Sequence, residues 1–212
     1  MVSYMRTYIY VDGFNLYFGA LKGTSYKWLN IEKLCQSILD AKNKIVGIKY
    51  FTAHVSSTHD DPFKAIRQQL YLRALSKECK NLQIIKGQYT THIVKKRLVT
   101  PTNGSKFADV YHRTEKGSDV NLAVHPVNDA WLDQYDCGVV ISGDSDLAES
   151  IKLARKTPIK KVVGVLAPGK RGMSKELIQE ASFIRSISCS ALAASQFPST
   201  ILNSAITKPS DW

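Results

Sequence analysis

Short apolar runs alternate along this chain with stretches whose apolar residues recur at helical spacing. Residues 6–11 read as a buried strand and residues 14–21 as a helix. Between 29 and 39, the residues Ile31, Leu34, Cys35, Ile38 and Leu39 share one helical face. Residues 45–55 are β-rich. Asp61-Pro62 then opens a helix as a capping acid and a first-turn proline do, and Ile66, Leu70, Leu72 and Leu75 carry it to about Cys79. A short strand at 82–86 follows. Beyond residue 113 the order is helix (119–128), strand (137–141), helix (145–156), strand (161–166), short helix (173–181) and last strand (183–187). This alternation predicts an α/β protein with a parallel sheet covered on both faces and right-handed crossovers.

Two segments break the rhythm. Residues 87–113 are irregular, basic and rich in Thr, Val and Ile, which predicts a hairpin turning at 101–104. From Ser188 onward the chain is poor in charge and rich in Ser, Ala and Thr, a tail either loosely ordered or docked late. The expectation is one domain over residues 1–187, with 87–113 as a basic hairpin-like insertion, and a tail at 188–212.

Composition narrows the class. Of 212 residues, 44% are hydrophobic and 22% charged, ordinary for a globular protein. No apolar run reaches the length of a bilayer span, and nothing near the N-terminus resembles a signal-peptide cleavage site. Cys35, Cys79, Cys137 and Cys189 form no C-x-x-C pair, so reduced thiols in a cytoplasmic protein are expected rather than a zinc site or disulfide framework. The net charge of +11 favours a polyanionic partner, most simply nucleic acid.

Against that excess the acids are placed distinctively. The first strand ends in Asp12 ("YIYVDGFN"), and the strand at 137–141 runs into Ser142, Asp144 and Asp146 ("CGVVISGDSDL"). Parallel strands put these ends on one sheet edge, where open α/β sheets bind ligands. Asp119 ("TEKGSDVNLAV") precedes a helical face whose helix leads into the strand at 137, so its start comes near the same edge. Each acid also has a plainer role. Asp12 suits a strand-to-helix turn, Asp146 with Glu149 a capping box, and Asp119 the first turn of a helix. If the strands are neighbours, the carboxylates converge. Two unit charges about 4 Å apart repel by about 4 kcal/mol at an effective dielectric near 20, so such a cluster must take up protons or hold a cation. Oxygen ligands of this kind suit Mg²⁺ or Mn²⁺.

VDGFN, KGSDVNLAV and SGDSDL, in that order and spacing, resemble the NYN domain of the PIN-like nuclease superfamily over residues 6–187. The resemblance implies a three-layer α/β/α sandwich with a central, mostly parallel sheet and a metal-dependent ribonuclease site. By motif position, Asp12, Asp119, Asp144 and Asp146 would be catalytic metal carboxylates, with Asn15 and Ser142 as auxiliary polar groups. Mg²⁺ or Mn²⁺ between the acids would activate water for in-line attack on a phosphodiester, leaving a 5′-phosphate. One departure stands out. His125, followed by Pro126, occupies a position six residues after Asp119 that is often acidic in this family, and it either alters metal affinity or ends the helix early.

The expected partner is RNA, or single-stranded DNA, held by Lys95, Lys96, Arg97, Lys106, Arg113, Lys170 and Arg171, with Lys160 and Lys161 as a further basic pair. Tyr89, Phe107 and Tyr111 are placed to stack on bases; the plain alternative is a solvated hairpin face. "APGKRGMS" lacks the spacing of a phosphate-binding P-loop. Two rival readings remain. An aspartyl-phosphate phosphatase would need a second Asp where Phe14 stands. A non-catalytic RNA-binding adaptor gains nothing from acids that repel phosphate. The oligomeric state, a homo-oligomer included, is left open by the sequence.

Overall fold

The computed structural model describes residues 4–102, 104–169 and 173–212. Seven strands form one sheet: β1 (Met5–Asp12), β2 (Asn43–Ala53), β3 (Leu82–Thr102), β4 (Ser105–Lys116), β5 (Cys137–Ile141), β6 (Val162–Ala167) and β7 (Phe183–Ser186), in the order β4-β3-β2-β1-β5-β6-β7. All neighbours are parallel except β3 and β4. Strands β1 and β5 sit at the centre. Ile9, Tyr10 and Val11 are sealed from solvent, as is all of β5, because both faces of a parallel sheet must be covered.

Helices α1 (Gly13–Leu16), α2 (Ile31–Ile38), α3 (Lys64–Glu78) and α7 (Cys189–Ala194) cover one face, packing Leu16, Leu34, Leu75 and Leu192 against Ile9, Val11 and Val139. Helices α4 (Ser118–Trp131), α5 (Ala148–Arg155) and α6 (Lys175–Glu180) cover the other, with Leu122, Ile151 and Leu177 against Tyr10, Val140 and Val165. The architecture is the α/β/α sandwich expected. No helix among the described residues is long and apolar enough to cross a membrane.

Several elements differ from the sequence expectation. The helix at 14–21 is only one α-turn, followed by a wide π-type turn (Tyr17–Leu21) in which the Lys22 N–H donates to the Tyr17 carbonyl at 2.7 Å. Strand and hairpin do not separate at 87. β3 is continuous, pairing with β2 as far as Gly87 and with β4 from Gln88 onward. A Cβ at Gly87 would lie 2.1 Å from Glu115 Oε1 and 2.7 Å from the Lys116 carbonyl, so only glycine lets β4 return this closely. Helix α4 runs past Pro126 to Trp131, and the Tyr135 hydroxyl donates to the Pro126 carbonyl at 2.8 Å.

The tail is docked. The Phe197 N–H donates to the Trp28 carbonyl at 2.9 Å, the Trp28 indole N–H donates to the Pro198 carbonyl at 2.9 Å, and Ile201 and Ile206 are buried. Phe197→Ala should therefore cost about 3–5 kcal/mol in urea unfolding, as for other buried aromatics; a loss below about 1 kcal/mol would show the tail to be loosely attached.

Arg6 clamps β1 to the chain entering β5. Its guanidinium donates to Asp136 at 2.8 Å and to Asp133 at 3.1 Å. Hydrogen bonding from Arg6 holds the Asp136 carboxyl below its ordinary range, and Lys161 does the same for Asp133. A lowered folded pKa gives stability that is present above the unfolded value, near 4, and lost as pH falls through the folded one. Asp136→Asn should thus lower the unfolding free energy measured in urea at pH 7 by at most about 1 kcal/mol, since the pair is partly exposed, and match the parent near pH 2. An equal deficit at both pH values would assign the loss to packing.

Candidate metal and nucleic-acid site

Val11 pairs with Ile141, so the carboxyl ends of β1 and β5 lie side by side. Asp12 is both the turn residue and a site residue. Its Oδ1 accepts from the Asn15 N–H at 2.9 Å, capping α1, and its Oδ2 accepts from the Ser142 hydroxyl at 3.0 Å. Each carboxylate oxygen keeps a lone pair for another partner. The Ser142 oxygen accepts from the Asp144 N–H at 3.2 Å, and Asn15 Oδ1 accepts from the Gly143 N–H at 2.9 Å. The two auxiliary residues therefore lock the loop after β5 onto the end of β1.

Asp144 caps the short 3₁₀ turn Ser145–Leu147, accepting from the Asp146 N–H at 3.1 Å. The capping box expected of Asp146 and Glu149 does not form: Asp146 lies inside that turn, exposed, and Glu149 pairs with Lys152 at 2.8 Å. Asp119 stands in the first turn of α4, which Gly117 starts in the left-handed region at φ 97°. All four aspartates, with Leu122, Ala123 and Leu147, line one cleft of about 200 Å³. Among the described residues no three His, Cys, Asp or Glu side chains already form a metal-holding cluster, so the carboxylates face a common cleft without closing on one point.

Burial and like charge act together on two of them. Burial leads in raising the Asp12 carboxyl above its usual range; the Asn15 and Ser142 hydrogen bonds oppose this, and the charges of Asp119 and Asp144 add to it. Partial burial also leads at Asp119, with Glu115, Asp144 and Asp146 pushing the same way. A cation in the cleft would relieve this repulsion, and an all-carboxylate donor set fits a hard divalent ion. Glu115 is the acid that sequence reasoning missed. Its Oε1 accepts from the Ser118 N–H at 3.2 Å and hydroxyl at 2.7 Å, fixing the start of α4 beside Asp119. The spacing T-E-K-G-S-D was its only signal.

His125 belongs to the seat of α4. It packs on Phe51, with ring centroids 5.4 Å apart, and its Nδ1 lies 3.1 Å from Lys49 Nζ. Lys49 pairs with Asp129 at 2.6 Å, and Asp129 accepts from the Tyr10 hydroxyl at 2.8 Å. Burial, then the charge of Lys49, lower the His125 pKa.

The basic residues of the β3–β4 arm divide between its faces. Strand alternation puts Lys95, Arg97 and Arg113 with Tyr89, Tyr111 and Phe107 on one face, and Lys96 and Lys106 on the other. The Arg113 guanidinium lies 4.2 Å from the Tyr89 ring centre and donates to the Ser56 hydroxyl at 2.8 Å. Lys170 and Arg171 lie outside the described residues. Lys161 is not part of a basic surface: it is buried and bound to Asp133. Asp61 binds Arg67 at 2.5 Å. On the sheet face opposite Leu122 and Leu147, a second hollow of about 140 Å³ is lined by Phe14, Tyr17, Tyr50, Tyr71, Tyr89 and Trp212.

Comparison with known proteins places this geometry. Over 98% of its length the chain is 32% identical to 6-hydroxy-3-succinoylpyridine 3-monooxygenase HspA of Pseudomonas putida, covering 75% of that protein. A crystal structure of a protein of unknown function from Vibrio parahaemolyticus shares the fold, with a TM-score of 0.54 and 17% identity over 88% of this chain and 95% of that one. The NYN domain model matches residues 6–188, nearly the whole chain, and the protein therefore belongs to the NYN domain family, whose domain is nuclease-like.

Proposed function

We propose that this protein is a metal-dependent ribonuclease that hydrolyses phosphodiester bonds of single-stranded or structured RNA. One observation carries the reading: four carboxylates share a single cleft in a chain of net charge +11. Asp12, Asp119, Asp144 and Asp146 would hold Mg²⁺ or Mn²⁺. When bound, such an ion lowers the pKa of a coordinated water and offsets the charge of a phosphate. The hydrogen bonds to Asp12 and Asp144 keep their oxygens aimed and spare the site reorganisation. Lys95, Arg97 and Arg113 would hold backbone phosphates, while Tyr111 and Phe107 on the same face stack on bases. No His or Lys lines the cleft among the described residues, so no side chain is assigned as general base.

A second reading has its own support. The Pseudomonas relative is named as a monooxygenase of a substituted pyridine, and the aromatic hollow beside Asp12 is of single-ring size. Oxygen uptake with that relative's substrate and a two-electron donor such as NADH, without RNA cleavage, would replace the nuclease reading.

The purified chain should cut single-stranded RNA with Mn²⁺ or Mg²⁺ and be silenced by chelator. Asp144→Asn should slow cleavage at least about 100-fold, since even outer partners of metal ligands matter on that scale. Equal cleavage by the variant would assign the activity elsewhere, and binding without cleavage under either metal would favour the adaptor.

Thermal melting gives an independent check. Asn keeps the cap that Asp144 provides but removes a like charge, so the metal-free variant should melt about 2–4 °C higher, equivalent to about 1 kcal/mol at this chain length. Mn²⁺ should stabilise the parent and not the variant. A variant that melts lower without metal would show that the carboxylates do not repel one another appreciably.

A further inference from the structure

The hollow beside Phe14 has a definite size and chemistry. At about 140 Å³ it is close to the cavity of about 150 Å³ that accepts one benzene ring. Its walls are aromatic rings at mutual angles: Phe14 and Tyr89 lie 6.3 Å apart, Tyr50 and Tyr71 6.4 Å, and Tyr71 and Trp212 5.9 Å, centre to centre. A flat ring entering there gains edge-on and offset contacts.

Polar groups are set around it. The Tyr71 hydroxyl is spent on the Leu29 carbonyl at 2.9 Å, whereas the Tyr50 hydroxyl has no hydrogen-bond partner among the described residues. Burial, with the charge of Asp12 adding, raises the Tyr50 pKa, so that hydroxyl stays a neutral donor. The cations Lys27, Lys64 and Arg67 line the hollow with one acidic side chain, Asp61. Arg67 is already shared by Asp61 at 2.5 Å and Asp211 at 2.9 Å. Lys27 and Lys64 are half-buried and pair with no carboxylate among the described residues. Lys64 also opens α3, a helix of 15 residues with no side-chain cap and no acid in its first turn, so the positive end of the helix dipole adds to the same field.

We propose that this hollow binds one six-membered aromatic ring bearing an anionic group, with the ring among Phe14, Tyr50 and Tyr71 and the anion at Lys27 and Lys64. Two sources share that chemistry: a pyrimidine nucleotide of a strand whose neighbouring phosphate reaches the Asp12 cleft, or a free aromatic acid. The two fused rings of a purine exceed the volume. The site stands apart from whatever chemistry the acidic cleft performs, so its test needs no turnover.

Isothermal titration of the full chain in EDTA, with uridine 5′-monophosphate, nicotinate, adenosine 5′-monophosphate and cyclohexanecarboxylate as probes, decides it. At least one of the first two should saturate, at least about tenfold tighter than either of the last two. Lys64→Ala should weaken that binding about fivefold. Val55→Trp, which narrows the rim, should weaken it at least about tenfold, with circular dichroism checking each variant's fold. Uridine monophosphate alone assigns the ring to a nucleic-acid strand, and nicotinate alone to a free acid. No saturation by either probe, equal affinity for the purine or the non-aromatic acid, or unchanged affinity in a folded variant overturns the proposal.

Discussion

The molecule depends on one strand pairing. β1 and β5 are more than 120 residues apart in sequence, yet they lie side by side at the centre of the sheet, with Val11 opposite Ile141. A one-residue slip in this pair would turn every side chain of β1 to the other face. Tyr10 would leave the Asp129 carboxylate, and Asp12 would leave the Ser142 hydroxyl. Burial on both faces and the Arg6 clamp hold the register at one end. The Asp12–Ser142 and Asn15–Gly143 hydrogen bonds hold it at the other.

That register gathers acids and then restrains them. Burial raises the Asp12 and Asp119 carboxyls above their usual range, and the neighbouring like charges add to it. Backbone and hydroxyl donors to Asp12 offset part of this shift without removing it. The remaining repulsion is what a cation in the cleft would relieve.

The two sides of Asp12-Gly13-Phe14 differ in character. Towards α4 and α5 the sheet edge is acidic; towards α3 and the C-terminal tail it is aromatic and basic. The tail makes this contrast. Trp212 closes one wall of the hollow, and Asp211 joins Asp61 on Arg67. A segment low in charge and without strong periodicity is thus integral to the core, because Trp28, Phe197 and Ile201 need one another to be covered.

The sequence by itself determined the layered α/β class and, through three short motifs, named four carboxylates as candidates for one site. Both are local signals, since strand and helix periodicity and the acids at strand ends are written in consecutive residues. The tertiary structure alone decided the rest. The need for glycine at position 87 shows only when β4 packs against it. Glu115 bonds Ser118 three residues on, but its closeness to Gly87 exists only because β3 and β4 pair. Lys161 reads as surface charge until Asp133 takes it inside. The division of Lys95 from Lys96 needs strand register, and the aromatic hollow draws its walls from α1, β2, α3, β3 and the last residue of the chain. The Gly87, Lys161 and hollow contacts join residues far apart in the chain, so reading consecutive residues does not reveal them.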